Sequence, residues 1–179
     1  LVPHDAPHQN MVAEVEPLSD MHLADILSGD PNRPIIVLDQ VTDPHNVGAI
    51  IRSAAAFDAA AIVTQDRHAP PESGTIAKAA SGGLEIVPWV RVVNLSRALE
   101  EIAEAGYWRI GLAGEGEQTL AAALGTGPIA LVLGAEGPGL HPNVAAHCDL
   151  LARLPISDAM ESLNVSNAAA IALYAIATR

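Results

Sequence analysis

Asn46, Arg52, Glu136, Ser162 and Asn164 stand in three short strings, DPHNVGAIIR (43–52), LGAEGPGL (133–140) and LPISDAMESLNVSNAAA (154–170). Each string sets polar residues where an apolar run gives way to a loop or helix. In an open α/β sheet ligands bind there, outside the carboxyl ends of the strands. In the first string Asp43-Pro44 starts a turn and Asn46 lies at a helix entrance. Gly48 allows close backbone approach, and Arg52 follows it by four residues, on the same side of the helix. An isolated Asn and Arg would read as a helix cap and a solvated or acid-paired cation; the whole string favours a functional pair. In the second string three glycines surround Glu136 and Pro138 stiffens the turn. Glycine lets a ligand or another backbone lie against the main chain. A carboxylate held there accepts hydrogen bonds or faces a cation, and a tight turn with an exposed acid is the plainer alternative. In the third string Ser162 or Asn164 is placed to cap the final helix, whose N-terminal amides attract anions.

Other chemistries lack their residues. There is no G-x-x-x-x-G-K-[ST], and neither GLAGEG nor GAEGPG matches the G-x-G-x-x-G that opens a dinucleotide-binding βαβ unit. The histidines show no H-E-x-x-H spacing, so no metal site is expected. Cys148 is the single cysteine and reads as a buried structural thiol.

The elements that must position these side chains follow from periodicity. Residues 1–33 read as a lead-in, with a short helix capped by Ser19, carrying Leu23, Ile26 and Leu27 on one face and stopped by Gly29. From Pro34 the chain alternates strand and helix. IIVLD (35–39) is a strand, Asn46–Phe57 a helix, AAIVTQ (60–65) a strand and Thr75–Ala80 a short helix. EIVPWVRV (85–92) is extended, with Pro88 pointing to an edge. NLSRALEEIAEAG is the clearest helix: Asn94 caps it, Leu95, Ala98, Leu99 and Ile102 share a face, and Gly106 suits its C′ position. YWRIGLAG (107–114), PIALVLG (128–134) and CDLLARLP (148–155) are strands, and Leu163–Thr178 is a closing helix, apolar nearly all round. Apolar strands alternating with helices predict an α/β fold: a parallel sheet with helices on both faces. The closing helix must be buried in the core, at a subunit interface, or both. Ala168, Ala169 and Ala172 would allow close packing there, and Tyr174 would reach a partner chain.

At 179 residues the chain suits one domain, and half its residues are hydrophobic. No apolar run reaches the roughly 20 residues of a membrane span, no signal peptide is visible, and a cytoplasmic location is expected. A net charge of −12 argues against nucleic acid, whose affinity comes largely from Lys and Arg against phosphate. Two readings would reconcile that charge with a nucleic-acid partner: a basic part lying outside this chain, or a local arginine patch on an acidic body, across a dimer.

In order and spacing the three strings resemble the motifs of the SpoU family of RNA ribose 2′-O-methyltransferases, most closely its RlmB-type subgroup. The resemblance runs from Pro34 to the C-terminus, and HQNMVAEV (8–15) is similar to the segment that joins a preceding domain there. It implies a SPOUT-type α/β domain with a deep C-terminal trefoil knot over 34–179, with 1–33 linking it to an N-terminal RNA-binding domain. It implies S-adenosyl-L-methionine as cofactor, a homodimer, and guanosine in large-subunit rRNA as target. A tRNA ribose is the alternative substrate, and a catalytically silent RNA-binding or assembly subunit the alternative role; a nucleotide-dependent enzyme on a Rossmann-like sheet has only the acidic charge in its favour. By resemblance, Asn46, Arg52, Glu136, Ser162 and Asn164 are the catalytic set. The cofactor pocket is then built from Leu112, Ala113, Gly114, Gly134, Glu136, Gly139, Leu154, Ile156, Ser162, Leu163 and Asn164. Arg52 is expected to clamp the phosphate beside the target ribose. Two departures stand out: SDAME lacks the glycine common before the Ser-Leu-Asn, and Asn167 stands where valine is frequent.

Overall fold

The computed structural model describes residues 18–179, so HQNMVAEV lies outside the described residues. The first element, α1 (Leu23–Leu27), is capped by His22 and not by Ser19. Asp25 is the reason. Its carboxylate accepts from the His22 backbone N–H at 3.2 Å and closes a capping box three residues beyond Ser19.

The alternating core then follows in order: β1 (Ile35–Leu38), α2 (Pro44–Ala56), β2 (Ala61–Gln65), α3 (Gly74–Ala80), β3 (Trp89–Val92) and α4 (Leu95–Glu104). After these come β4 (Trp108–Leu112), β5 (Gln118–Thr119), α5 (Leu120–Ala123), β6 (Ile129–Leu133), α6 (Pro142–Ala145), β7 (Leu150–Arg153) and α7 (Val165–Ala177). Two expected boundaries move for the same reason, a side chain that takes the orphan amides of a first turn. Asp43, not Asn46, caps α2, accepting from His45 N at 2.9 Å, with Pro44 supplying a helix-ready first position. Asn164 caps α7, so that helix starts at Val165 and not at Leu163. Only Trp89–Val92 of the extended segment 85–92 is strand, because Gly83–Glu85 turns as a 3-10 helix. The alternation shows no trace of β5, α5 and α6; each has two to four residues, too few for a period to register.

All seven strands pair in parallel in the order β3-β2-β1-β6-β4-β7-β5, with β3 at an edge, as Pro88 suggested. Alternate strand residues serve opposite faces. Ile36, Leu38, Leu131 and Leu133 pack with α2, α3, α5 and α7, whereas Ile35, Val37, Ala130 and Val132 pack with α1, α4 and α6. Ala169 and Ala172 are fully buried in the first of these layers, so they pack against the chain's own sheet and not against a partner. The outward side of α7 carries Asn167, Ile171 and Tyr174. Tyr174 meets half-buried Phe57 edge-on, with ring centroids 6.2 Å apart. No helix among the described residues is long and apolar enough to cross a membrane.

Candidate functional site

The three strings converge at the carboxyl ends of β1, β6, β4 and β7. The sheet brings them together: β1 pairs with β6 and β6 with β4, so the loop after each strand opens beside the next. Buried Asp39, one residue past β1, fastens the neighbouring loop by accepting from the backbone N–H of His141 at 2.6 Å. None of the three strings includes Asp39; its one signal in the sequence is an acid closing an apolar strand.

The loop after β6 is held by its glycines. Ala135 and Gly139 bridge each other through backbone hydrogen bonds of 3.1 and 3.0 Å. A Cβ on Gly134 would lie 2.2 Å from the Gly139 carbonyl carbon, so only glycine fits there. Gly137 and Gly139 adopt positive φ, +82° and +71°. This fold of the loop presents Glu136 to two amides at once. Asn46 Nδ2 donates to Glu136 Oε1 at 3.1 Å, and Asn164 Nδ2 donates both to that oxygen and to Asn46 Oδ1. The Val165 N–H, in the first turn of α7, adds a 3.4 Å contact to the same carboxylate oxygen, where the positive end of the helix favours a negative charge. Asn164 Oδ1 meanwhile accepts from Ser166 N and Asn167 N, so the capping role and the network role coexist in one side chain. Glu136 is therefore the hub that ties the β6 loop to α2 and α7, and the amide of buried Asn46 is oriented through both its atoms.

Beside this network lies a cavity of about 320 Å³. Leu112, Ala113, Gly114, Gly134, Glu136, Gly139, Leu154, Ile156, Ser162 and Leu163 line it. So do Glu115, Ala135, Leu140, Glu161, Val165 and Ala168, which the resemblance does not assign to the pocket. Asn164 stands behind the lining, on Glu136. Arg52 lies away from the cavity on the exposed side of α2 and makes no ion pair or hydrogen bond among the described residues. The cavity suits a ligand with an apolar ring and a positive centre. Backbone from three loops and the side chains of Leu112, Leu154 and Leu163 can sandwich a flat ring, and Glu115, Glu136 and Glu161 offer negative charge. A Cβ on Gly114 would meet no protein atom within 4 Å, which leaves the main chain there open to the ligand.

Residues 33–174 match the family model described as the SpoU rRNA Methylase family. The chain belongs to this family. It is 41% identical to the 23S rRNA (guanosine-2′-O-)-methyltransferase RlmB of Vibrio vulnificus, over 96% of this chain and 70% of that protein. It is 44% identical to the enzyme of the same name from Ralstonia nicotianae, over 93% and 68%. Among solved structures it is similar to the SpoU methyltransferase AviRb from Streptomyces viridochromogenes in complex with the cofactor AdoMet. There the TM-score is 0.79 at 27% identity, over 90% of this chain and 62% of the other. As a SpoU-family domain the chain thus spans a little over two thirds of those curated relatives, and less than two thirds of AviRb.

Half-buried Cys148 lies outside this site. Burial pushes its thiol up to about 12, so it stays protonated and unreactive at neutral pH.

Proposed function

We propose that this chain carries the catalytic domain of an S-adenosyl-L-methionine-dependent RNA methyltransferase that modifies the 2′-hydroxyl of a guanosine ribose in large-subunit rRNA. One observation carries the reading: the Asn46–Glu136–Asn164 network ties the first motif to the wall of a cavity built by the second and third motif loops and the loop after β4. Family membership and the names of the relatives support the reaction and the substrate class. Acting on rRNA would place the protein in the cytoplasm.

The cavity lining fits the cofactor: the side chains of Leu112, Leu154 and Leu163 would hold an apolar ring, and the carboxylates of Glu115, Glu136 and Glu161 would favour a positive centre. When bound, the cofactor supplies an electrophilic methyl group on a sulfonium. The chain's own task is then to orient a weak nucleophile in line and relieve it of its proton. Glu136 is committed to three donors, which makes it a positioning group for Asn46 and the α7 terminus. Ser162 lines the cavity and has no hydrogen-bond partner among the described residues, so its hydroxyl is available to substrate or cofactor. A guanidinium ordinarily keeps its charge at neutral pH, so Arg52 serves better as a clamp on the phosphate next to the target ribose than as a base. Positioning of this kind can lower a barrier by about 7–11 kcal/mol.

The same reading makes residues 34–179 the catalytic domain, with the C-terminal chain path forming the family's trefoil knot and residues 1–33 leading from an RNA-binding region. It also makes the protein a homodimer, joined through the outward stripe of α7. The test is methyl transfer from labelled S-adenosyl-L-methionine to unmodified 23S rRNA and to tRNA, with the modified ribose mapped. Transfer to a single guanosine of 23S rRNA is expected. Transfer only to tRNA would move the substrate, and cofactor binding without transfer to either RNA would favour the silent assembly subunit.

A further inference from the structure

Nine lysines and arginines must serve an acidic chain, and six of them are already engaged. Arg33, Arg91, Arg97 and Arg109 form ion pairs with Asp58, Asp66, Glu101 and Asp149. Arg153 donates to the carbonyls of Gly116 and Glu117, and Arg179 to that of Gly125. Arg52, Arg67 and Lys78 remain. All three are exposed and have no ion-pair or hydrogen-bond partner among the described residues.

These three cations fall on one side of the site. Arg67 sits in the turn Asp66–His68 at the carboxyl end of β2, the strand next to β1 on the side away from β6. Lys78 is on α3, which packs against α2 so closely that a Cβ on Gly48 would lie 2.5 Å from the Ala79 Cβ. The turn that ends α3 folds back onto Arg52 itself. Ser81 and Gly82 take positive φ, and a Cβ on Gly83 would lie 3.3 Å from the Arg52 Cα. Segment 44–93 holds four cations and four acids, so it is neutral and the rest of the chain carries the whole −12. On the other side of Asn46 the cavity lining holds Glu115, Glu136 and Glu161 and no Lys or Arg. Exposed Glu117 and Asp158 stand in the same loops.

The geometry points to Arg67 and Lys78 as phosphate-contacting residues that, with Arg52, set the path of the RNA backbone over the α2–α3 side of the site. This rests on the RNA methyltransferase reading above. A polyanion is repelled by the carboxylate rim and attracted by the three uncommitted cations, so it reaches the Asn46–Glu136 network from the β2 side. The cavity whose lining would hold the cofactor lies on the β4–β7 side. The target ribose then lies at the boundary between the two, beside Asn46.

The test uses the full chain and unmodified 23S rRNA transcript, with binding measured over a range of KCl and methyl transfer measured as a function of RNA. Arg67→Ala and Lys78→Ala should each raise Kd and KM for RNA several-fold, and the double charge reversal to Glu about a hundredfold. Each lost contact should lower the salt slope by roughly 0.7–0.9. Turnover at saturating RNA, cofactor affinity and melting temperature of the alanine variants should stay at wild-type values, since both side chains are exposed. Arg97→Glu, on the far face in α4, should change RNA binding little. Wild-type KM and salt slope in both alanine variants and in the double reversal would overturn the assignment while leaving the enzyme reading intact. Equal weakening by Arg97→Glu would also overturn it, because the effect would then be bulk charge. If the wild-type chain transfers no methyl group to RNA, the enzyme reading fails and takes this path with it.

Discussion

Arg52 and Glu136 do opposite kinds of work. Glu136 is held by two asparagine amides and a backbone N–H, so its energy goes into shape. Arg52 is exposed and uncommitted, so it is free to spend its charge on substrate. Arg52→Ala should therefore leave S-adenosyl-L-methionine affinity within about twofold and lower turnover by a factor on the order of 100 or more. Arg52→Lys should recover only part of it, because one ammonium does not reproduce a planar bidentate fork. Single-turnover methylation with matched cofactor titrations decides this, and near wild-type transfer by Arg52→Ala would remove the residue from the mechanism. Glu136→Ala should behave differently. It releases Asn46 and the start of α7 together, so cofactor affinity and turnover should fall side by side, by about tenfold or more.

At the scale of elements, the site depends on loops that have no freedom to relax. The β6 loop is the tightest case, since Gly134 faces the backbone of Gly139 and Leu140. Gly134→Ala must break the Ala135–Gly139 bridge, at a cost of about 1–3 kcal/mol, and should abolish cofactor binding at concentrations that saturate the wild type. Calorimetry together with thermal melting would separate loss of the loop from loss of the fold. The sheet has a second fastening at the opposite strand ends. Asp149 receives Arg109 through Nε at 3.0 Å and Nη2 at 2.7 Å, and also accepts from the Arg109 backbone N–H at 2.8 Å. These bonds hold the Asp149 carboxyl below its ordinary range and the Arg109 guanidinium above its own. A depressed carboxylate stabilises the fold at pH values above its unfolded pKa, and the effect is lost as pH falls through the folded value. Asp149→Asn should therefore cost about 1.5–3 kcal/mol at neutral pH in urea denaturation, and the gap to wild type should begin to narrow as pH falls below about 4.

For the whole molecule, the exposed stripe Asn167, Ile171 and Tyr174 on α7 is the surface on which the homodimer proposal rests. Ile171 and Tyr174 are 47% and 59% exposed, a poor use of large apolar side chains unless something covers them. Sedimentation at micromolar concentration should give a dimer, and Ile171→Asp with Tyr174→Asp should give a folded monomer with unchanged helical content. A wild-type monomer under the same conditions would reject the proposal. The charge distribution belongs to this scale too. A net −12 read as a bulk number argues against RNA, whereas the structure divides the molecule into a neutral α2–α3 side and an acidic remainder.

Sequence alone determined the local order of this protein, because local order is written in period and punctuation. The apolar runs of β1, β2 and β6 read as strands with two covered faces. The 3.6-residue stripe of α4, with Asn94 before it and Gly106 at φ +88° after it, read as a capped helix. The three strings were legible as a set because their residue types recur in a known order, and ten of the eleven residues that the resemblance assigns to the cofactor pocket line one cavity. Tertiary structure alone decided who meets whom. Nothing in the spacing of Asn46, Glu136 and Asn164 states that β6 inserts between β1 and β4, and that insertion is what brings their side chains into contact. The same holds for Asp39 with His141 and for the burial of Ala169 and Ala172, which depend on strands distant in the chain becoming neighbours. The separation of three uncommitted cations from the carboxylate rim arises in the same way: charges are counted along a sequence, but partners are assigned in space.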